Sequence, residues 1–211
     1  MTVTICALMW SQPGCDGLLH AGLTDSLRTA AKFGGLPIAR YRRKDGAIGP
    51  LEILTIRWPS LEVLNRFRIE MNASQAMAAE SSLLGNLVIG YEESLRPARR
   101  EPVLDPGSSV TVCALVWSRP GQELLLTAYA SRALANAESF GGHILQRLRR
   151  LPGSSGPQET QVLEFPSEEA LAAYREAQRV DEYSRIRATA IADCLVIRVE
   201  SMLESAMPSR Q

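Results

Sequence analysis

The chain has 211 residues, 45% of them apolar, and its 23 lysines and arginines are balanced by 23 aspartates and glutamates. That length allows one large domain or two small ones with a real core, and the composition excludes a disordered chain. Zero net charge removes the overall field that draws a protein to nucleic acid or an anionic membrane.

Residues 1–10 lack the basic leader and cleavage site of a signal peptide, and no apolar run is long enough to span a bilayer, so a soluble, cytoplasmic protein is expected. Residues 3–10 are apolar at positions belonging to both faces of a strand, which predicts a strand covered on both sides. Pro13 and Gly14 end it. A helix follows, with Leu19, Leu23, Leu27, Ala30 and Ala31 at helical spacing, and Gly34-Gly35 close it because glycine accepts a left-handed conformation. Strands at 36–43 and 51–58, joined through Gly46, Gly49 and Pro50, form a hairpin. Pro59-Ser60 open a second helix, with Ser60 as cap, Glu62 near its positive end, and Val63, Leu64 and Phe67 as its apolar face. A last strand at about 86–92 ends this run, and the proline- and charge-rich segment 94–109 reads as a linker.

The pattern then returns 107 positions later without a gap. Phe33-Gly34-Gly35 recurs as Phe140-Gly141-Gly142, Gly49-Pro50 as Gly156-Pro157, and Trp58-Pro59-Ser60 as Phe165-Pro166-Ser167. Roughly one aligned position in three is identical, which marks a tandem duplication. The second copy has strands at 110–117, 143–150, 159–165 and about 193–199. Its helices carry Leu125, Ala128, Leu134 and Ala137, then Ala170, Leu171 and Tyr174. The expected organisation is therefore a first repeat at 1–93, a linker at 94–109, a second repeat at 110–200 and a tail at 201–211.

Strand, helix, strand, strand, helix, strand is the ferredoxin-like order, a four-stranded antiparallel sheet with both helices on one face. Because the opening strands are apolar on both sides, each sheet needs a second cover. The other repeat's sheet is the economical one, which predicts an α+β fold with two sheets face to face in one chain. Cys6 and Cys113 occupy matching places in predicted buried strands, whereas Cys15 and Cys194 have no cysteine counterpart. That is not the layout of a disulfide framework, and reduced thiols are expected.

Phe-Gly-Gly at the end of the first helix, and Val162-Leu163-Glu164-Phe165-Pro166-Ser167 with Glu169-Ala170-Leu171 at the entry to the second, resemble the dimeric α+β barrel superfamily. Within it the chain is most similar to a large bacterial family labelled as a domain of unknown function. The match spans nearly all of the second repeat, including Asp181-Glu182-Tyr183 before the last helical turn. The first repeat departs from it, with Arg57 in place of Glu164 and Asn72-Ala73-Ser74-Gln75 in place of Arg179-Val180-Asp181-Glu182. Such proteins pair as homodimers, so the resemblance implies a fused pseudo-dimer, with further homodimerisation left open. It also implies a pocket between sheet and helices. Some relatives bind haem through histidine, but no motif here imports that role, and no cofactor or metal is expected.

Candidate site residues are few. His20 and His143 are the only histidines, are not equivalent under the repeat shift and have no metal-ligand spacing. A structural or surface role is the default for both. His143, directly after the glycine pair, is the better acid or base candidate. Arg40 with Arg42, and Arg147 with Arg149, share strand faces. They read either as solvated edge-strand charges or, for Arg40 and Arg147, as a grip for a carboxylate or phosphate. Glu52 and Glu159 match across the repeats and are expected to pair with these arginines across strands. Glu164 lies in an apolar segment and is either a base with a perturbed pKa or the partner of Arg57. Trp10, Trp117 and Tyr174 are core residues or pocket walls, as are Trp58 and Phe165 at equivalent strand ends.

The RNA-recognition motif shares the element order. However, neither 51–58 nor 159–165 carries its exposed aromatics in a basic, glycine-containing signature, so no nucleic-acid partner is expected. Two functions remain. One is a small-molecule-binding protein acting as a cofactor-independent oxygenase, isomerase or cyclase of bacterial biosynthesis, with His143 and Glu164 as catalytic candidates and Arg147, Trp117, Tyr174, Arg40 and Trp10 as ligand-binding ones. The other is a non-catalytic binding or assembly scaffold.

Overall fold

The computed structural model describes residues 2–44, 46, 48–73, 83–91, 108–152, 154–179 and 181–203. They fall into two compact units. One holds residues 1–93 together with 151–154 and the chain from 199 onward, and the other holds the rest.

The first unit contains β1 (Val3–Ser11), α1 (Asp16–Lys32), β2 (Leu36–Arg43), β3 (Glu52–Trp58), α2 (Leu61–Ala73) and β4 (Leu83–Tyr91). Its strands lie in the order β4-β1-β3-β2, and each of these pairings is antiparallel. β1 is central, which accounts for its apolar residues on both faces. Met9, Leu54, Ile56 and Trp58 face the helices and pack with Leu19, Leu23, Leu27 and Leu64. The alternate residues Cys6, Leu8, Ile53 and Thr55, on the helix-free face, are buried as well.

The second unit contains β5 (Val110–Ser118), α3 (Glu123–Ser139), β6 (His143–Arg149), β7 (Glu159–Phe165), α4 (Glu168–Ala177), α5 (Asp181–Ala190) and β8 (Ile191–Ser201) as far as Arg198. Its order is β8-β5-β7-β6, with β7 antiparallel to both β5 and β6. Val112, Ile144, Leu163 and Phe165 face Leu134, Ala137 and Leu171 of the helices. On the helix-free face Cys113, Leu115, Leu148, Thr160 and Val162 are buried.

Helix ends follow the chemistry expected of them. The Gly35 N–H donates to Ala30 O at 2.9 Å and the Gly34 N–H to Ala31 O at 3.0 Å, while Gly142 and Gly141 repeat the arrangement with Ala137 and Glu138. This is the left-handed helix stop that satisfies the last carbonyls, and φ is 78° at Gly34 and 74° at Gly141. The second glycine of each pair is required for a different reason: a Cβ on Gly142 would stand 2.8 Å from both Ala137 O and the Phe165 ring. Ser60 Oγ accepts from the Val63 N–H at 3.2 Å and Ser167 Oγ from the Ala170 N–H at 3.3 Å, capping the second helix of each unit.

Two differences from the sequence reading stand out. α5 is a separate helix of ten residues packed on α3, where only a last helical turn was expected. The backbone at the end of α4 tightens to an Arg179 N–H to Glu176 O bond, which stops that helix, and Asp181 then opens a new one. Secondly, β8 runs through Ser201, so the chain there is strand rather than tail. Most of the proposed linker, 94–107, and residues 204–211 lie outside the described residues.

Candidate functional site

Each unit fastens its first helix to its sheet with a buried arginine. In the first, Arg40 Nε donates to Glu52 Oε2 at 2.7 Å, Nη1 to Thr24 Oγ1 at 3.1 Å and Nη2 to the His20 carbonyl at 3.2 Å. His20 Nδ1 sits 2.8 Å from Glu52 Oε1. In the second, Arg147 donates from Nε and Nη2 to the two oxygens of Glu159, both at 2.8 Å, and reaches Ser131 Oγ at 3.0 Å and Thr127 O at 3.2 Å.

Both carboxylates are 0% exposed, Arg40 is 1% exposed and Arg147 8%. The solvated edge-charge reading is therefore corrected. Alternation along β2 and β6 turns these two arginines under the helix, where the cross-strand pair is the low-energy arrangement. The same geometry directs their guanidinium donors into the protein instead of toward an external anion.

A cavity of about 300 Å³ lies in the second unit between the helix-facing side of its sheet and helices α3, α4 and α5. Its walls are Val112, Ala114 and Val116 of β5, Gln161, Leu163 and Phe165 of β7, Tyr129, Ala130 and Ala133 of α3, and Tyr174 and Gln178 by way of α4. The reason for the space is visible on aligning the two halves. Val116, Ala130, Gln161 and Phe165 stand where the first half has Met9, Leu23, Leu54 and Trp58, which are larger or more apolar and belong to that unit's core. Phe165 packs on Tyr174 with ring centroids 5.2 Å apart, forming an aromatic end wall.

The cavity's neutral polar groups come from both the sheet and the helices. Gln161 Nε2 donates to Glu159 Oε2 at 2.8 Å, so the Arg147–Glu159 pair orients this amide in the cavity floor. The Tyr129 hydroxyl donates to Gln178 Oε1 at 3.4 Å, while Gln178 Nε2 is buried with no hydrogen-bond partner. A buried donor left in that state costs about 1–3 kcal/mol, so Gln178 presents an unspent donor at the cavity wall. Burial pushes the Cys194 thiol pKa up, while the nearby Arg187 charge pulls it down.

Of the candidates named from sequence, Tyr174 and Phe165 line this cavity. Arg147 stands behind it, through Glu159 and Gln161. His143 and Glu164 are brought directly opposite each other on β6 and β7, but on the helix-free face, since their neighbours Ile144 and Leu163 face the helices. Glu164 is 2% exposed and accepts from Ser109 Oγ at 3.3 Å. Trp10 and Trp117, half-buried at the ends of β1 and β5, alternate with Met9 and Val116 and so belong to the helix-free side. Arg40 belongs to the first unit. Gln161, Gln178 and Tyr129 escaped sequence reasoning, although Gln161 opposite Leu54 under the repeat shift was a usable signal: a polar residue replacing a core leucine. Among the described residues no group of His, Cys, Asp or Glu is placed to hold a metal ion, and no helix is long and apolar enough to cross a membrane.

No protein-family model matches the chain, and no curated protein matches its sequence. Solved structures do match. An anthrone oxidase-like protein is 17% identical with a TM-score of 0.61, over 95% of this chain and 91% of that one. A monooxygenase-like protein from Lactobacillus acidophilus NCFM is 8% identical with a TM-score of 0.53, over 95% and 93%. A variant chlorite dismutase from Candidatus Nitrospira defluvii is 8% identical with a TM-score of 0.59, over 97% and 93%. At such identities the likeness is one of fold. The chain has an antiparallel-sheet α+β fold, shared with these anthrone oxidase-like, monooxygenase-like and chlorite dismutase structures.

Proposed function

We propose that this protein binds a small, largely apolar metabolite in the second-unit cavity, and that it acts there as a cofactor-independent enzyme of the oxygenase, isomerase or cyclase type. The observation that carries this is the cavity itself: apolar and aromatic walls with a few polar groups, Gln161, Gln178 and Tyr129, set among them, the composition of a small-molecule site. The names of the structures that share the fold, a monooxygenase-like and an anthrone oxidase-like protein, support the same class.

A second reading, a non-catalytic binding protein, is favoured by one specific feature. Among the described residues, those lining the cavity include no imidazole and no carboxylate. Chemistry there has to draw on the ligand's own reactivity, and an inert ligand would simply be held. Proton transfer by His143 and Glu164, if part of the function, takes place on the other face of the sheet. His143→Ala is thus expected to leave cavity binding unchanged.

The proposal includes the architecture. The two units are taken as tandem copies of one ferredoxin-like unit, each with an apolar helix-free sheet face. The recurrence at 107 positions and the burial of Cys6, Leu8, Cys113 and Leu115 support this.

The test is a fluorescence titration with the neutral probe N-phenyl-1-naphthylamine, beside native mass spectrometry and an absorbance spectrum of the protein from its own host. Wild type should bind one equivalent, and Ala130→Leu combined with Gln161→Leu, which restores the first half's residues, should abolish binding while keeping the circular dichroism spectrum. Undiminished binding by the filled variant, or none by wild type, would overturn the proposal. Turnover of the co-purified ligand by wild type but not by the filled variant separates enzyme from binder.

A further inference from the structure

The cavity adjoins a second hollow of about 470 Å³, both being lined by Gln178, Arg179, Arg187, Ile191 and Cys194. The junction is where apolar walls give way to charge. Among the described residues lining the two hollows, Arg175, Arg179 and Arg187 contribute three guanidiniums and Asp193 one carboxylate. Arg179 is held by Glu176 at 3.0 Å, and Asp193 Oδ1 accepts from the Cys194 backbone N–H at 2.8 Å. Neither Arg175 nor Arg187 forms an ion pair with a described residue. Beside them lies the buried Gln178 amide, 8% exposed, whose Nε2 donor has no partner. The Arg187 charge lies close enough to act on the Cys194 thiol, which shares the same wall. An unpartnered buried donor next to guanidiniums that make no ion pair, Arg175 and Arg187, is the arrangement that an oxyanion completes, since each group supplies hydrogen bonds to one.

We propose that the ligand is an amphipathic anion, an organic acid whose apolar ring system fills the inner cavity and whose carboxylate sits at the junction, bound by Gln178 Nε2 and Arg187. This rests on the cavity reading above and goes beyond it by naming the charge and orientation of what is bound. Arg147 has no part in this grip, because both of its forked donors are committed to Glu159. The anion site is instead built from α4 and α5, the pair of helices that the sequence reading had run together.

Two probes with the same apolar body separate the claims. N-phenyl-1-naphthylamine is neutral, and 8-anilinonaphthalene-1-sulfonate carries one anion on that body, the sulfonate standing in for a carboxylate. Titrated into the full chain, Arg187→Gln is expected to weaken the sulfonate probe by about tenfold and to change the neutral one by less than about twofold, the loss of one charge-assisted hydrogen bond. Gln178→Leu should show the same selectivity. Rising salt should weaken only the sulfonate probe. If the neutral probe binds and the sulfonate is excluded, or if Arg187→Gln affects both alike, the anion assignment is overturned and the cavity reading survives. If neither probe binds, both fall. Arg187 is exposed, so its replacement does not endanger folding, and the Ala130→Leu, Gln161→Leu variant checks that both probes occupy the inner cavity.

Discussion

Replacing Glu159 by leucine should destabilise the protein more than removing any single surface charge. The substitution deletes both 2.8 Å bonds that Arg147 makes to the carboxylate and the acceptor of Gln161 Nε2, leaving a guanidinium with only Ser131 Oγ and Thr127 O. An uncompensated buried charge of this kind costs about 3–5 kcal/mol, against a total folding stability of roughly 5–15 kcal/mol. For a chain of this length that corresponds to a fall in Tm of about 6–20 °C. The double variant Arg147→Met, Glu159→Leu should recover most of the loss, because the desolvation penalty leaves together with the attraction. Urea unfolding of wild type, both single variants and the double variant measures the coupling as a thermodynamic cycle. A cost below about 1 kcal/mol for Glu159→Leu, or strictly additive single effects, would refute the buried-clamp argument. Probe binding should fall with Glu159→Leu at concentrations where the chain is still folded, since Gln161 loses the contact that orients it.

Other consequences follow from the same geometry. Burial pushes the Cys6 thiol up to about 12 from an ordinary value near 9, so its stabilising effect is complete below the unfolded pKa and is lost as pH rises through the folded one. Between pH 8 and pH 10 wild type should lose about 1.4 kcal/mol more stability than Cys6→Ala, read from urea midpoints; parallel pH profiles would contradict this. Gly142→Ala should cost about 1–3 kcal/mol, because its Cβ has no room against Ala137 O and the Phe165 ring, whereas Gly17→Ala on α1, where a Cβ meets nothing, should be neutral or stabilising. Ser167→Ala removes the cap of α4 and should lower stability by about 1 kcal/mol in the same assay.

What the sequence by itself determined was local or periodic. The order of strands and helices, the glycine-pair helix stops, the serine caps and the burial of Cys6 and Cys113 all depend on residues a few positions apart, whose conformational preferences act before any tertiary contact forms. The recurrence at 107 positions added a long-range fact that needs no geometry, and it also paired Arg40 with Glu52 and Arg147 with Glu159. The site was another matter. A cavity is a shortfall of volume among residues from β5, β7, α3, α4 and α5, and no local pattern records which of their side chains converge. Alternation alone cannot say which face of a strand meets a helix, so His143 and Glu164 looked as close to a pocket as Gln161 does, and the buried arginines looked like surface charge. Tertiary packing decided both: it turned one face of each sheet under helices, spent the arginines on carboxylates there, and left small and amide side chains in the second unit where the first has Leu23 and Leu54.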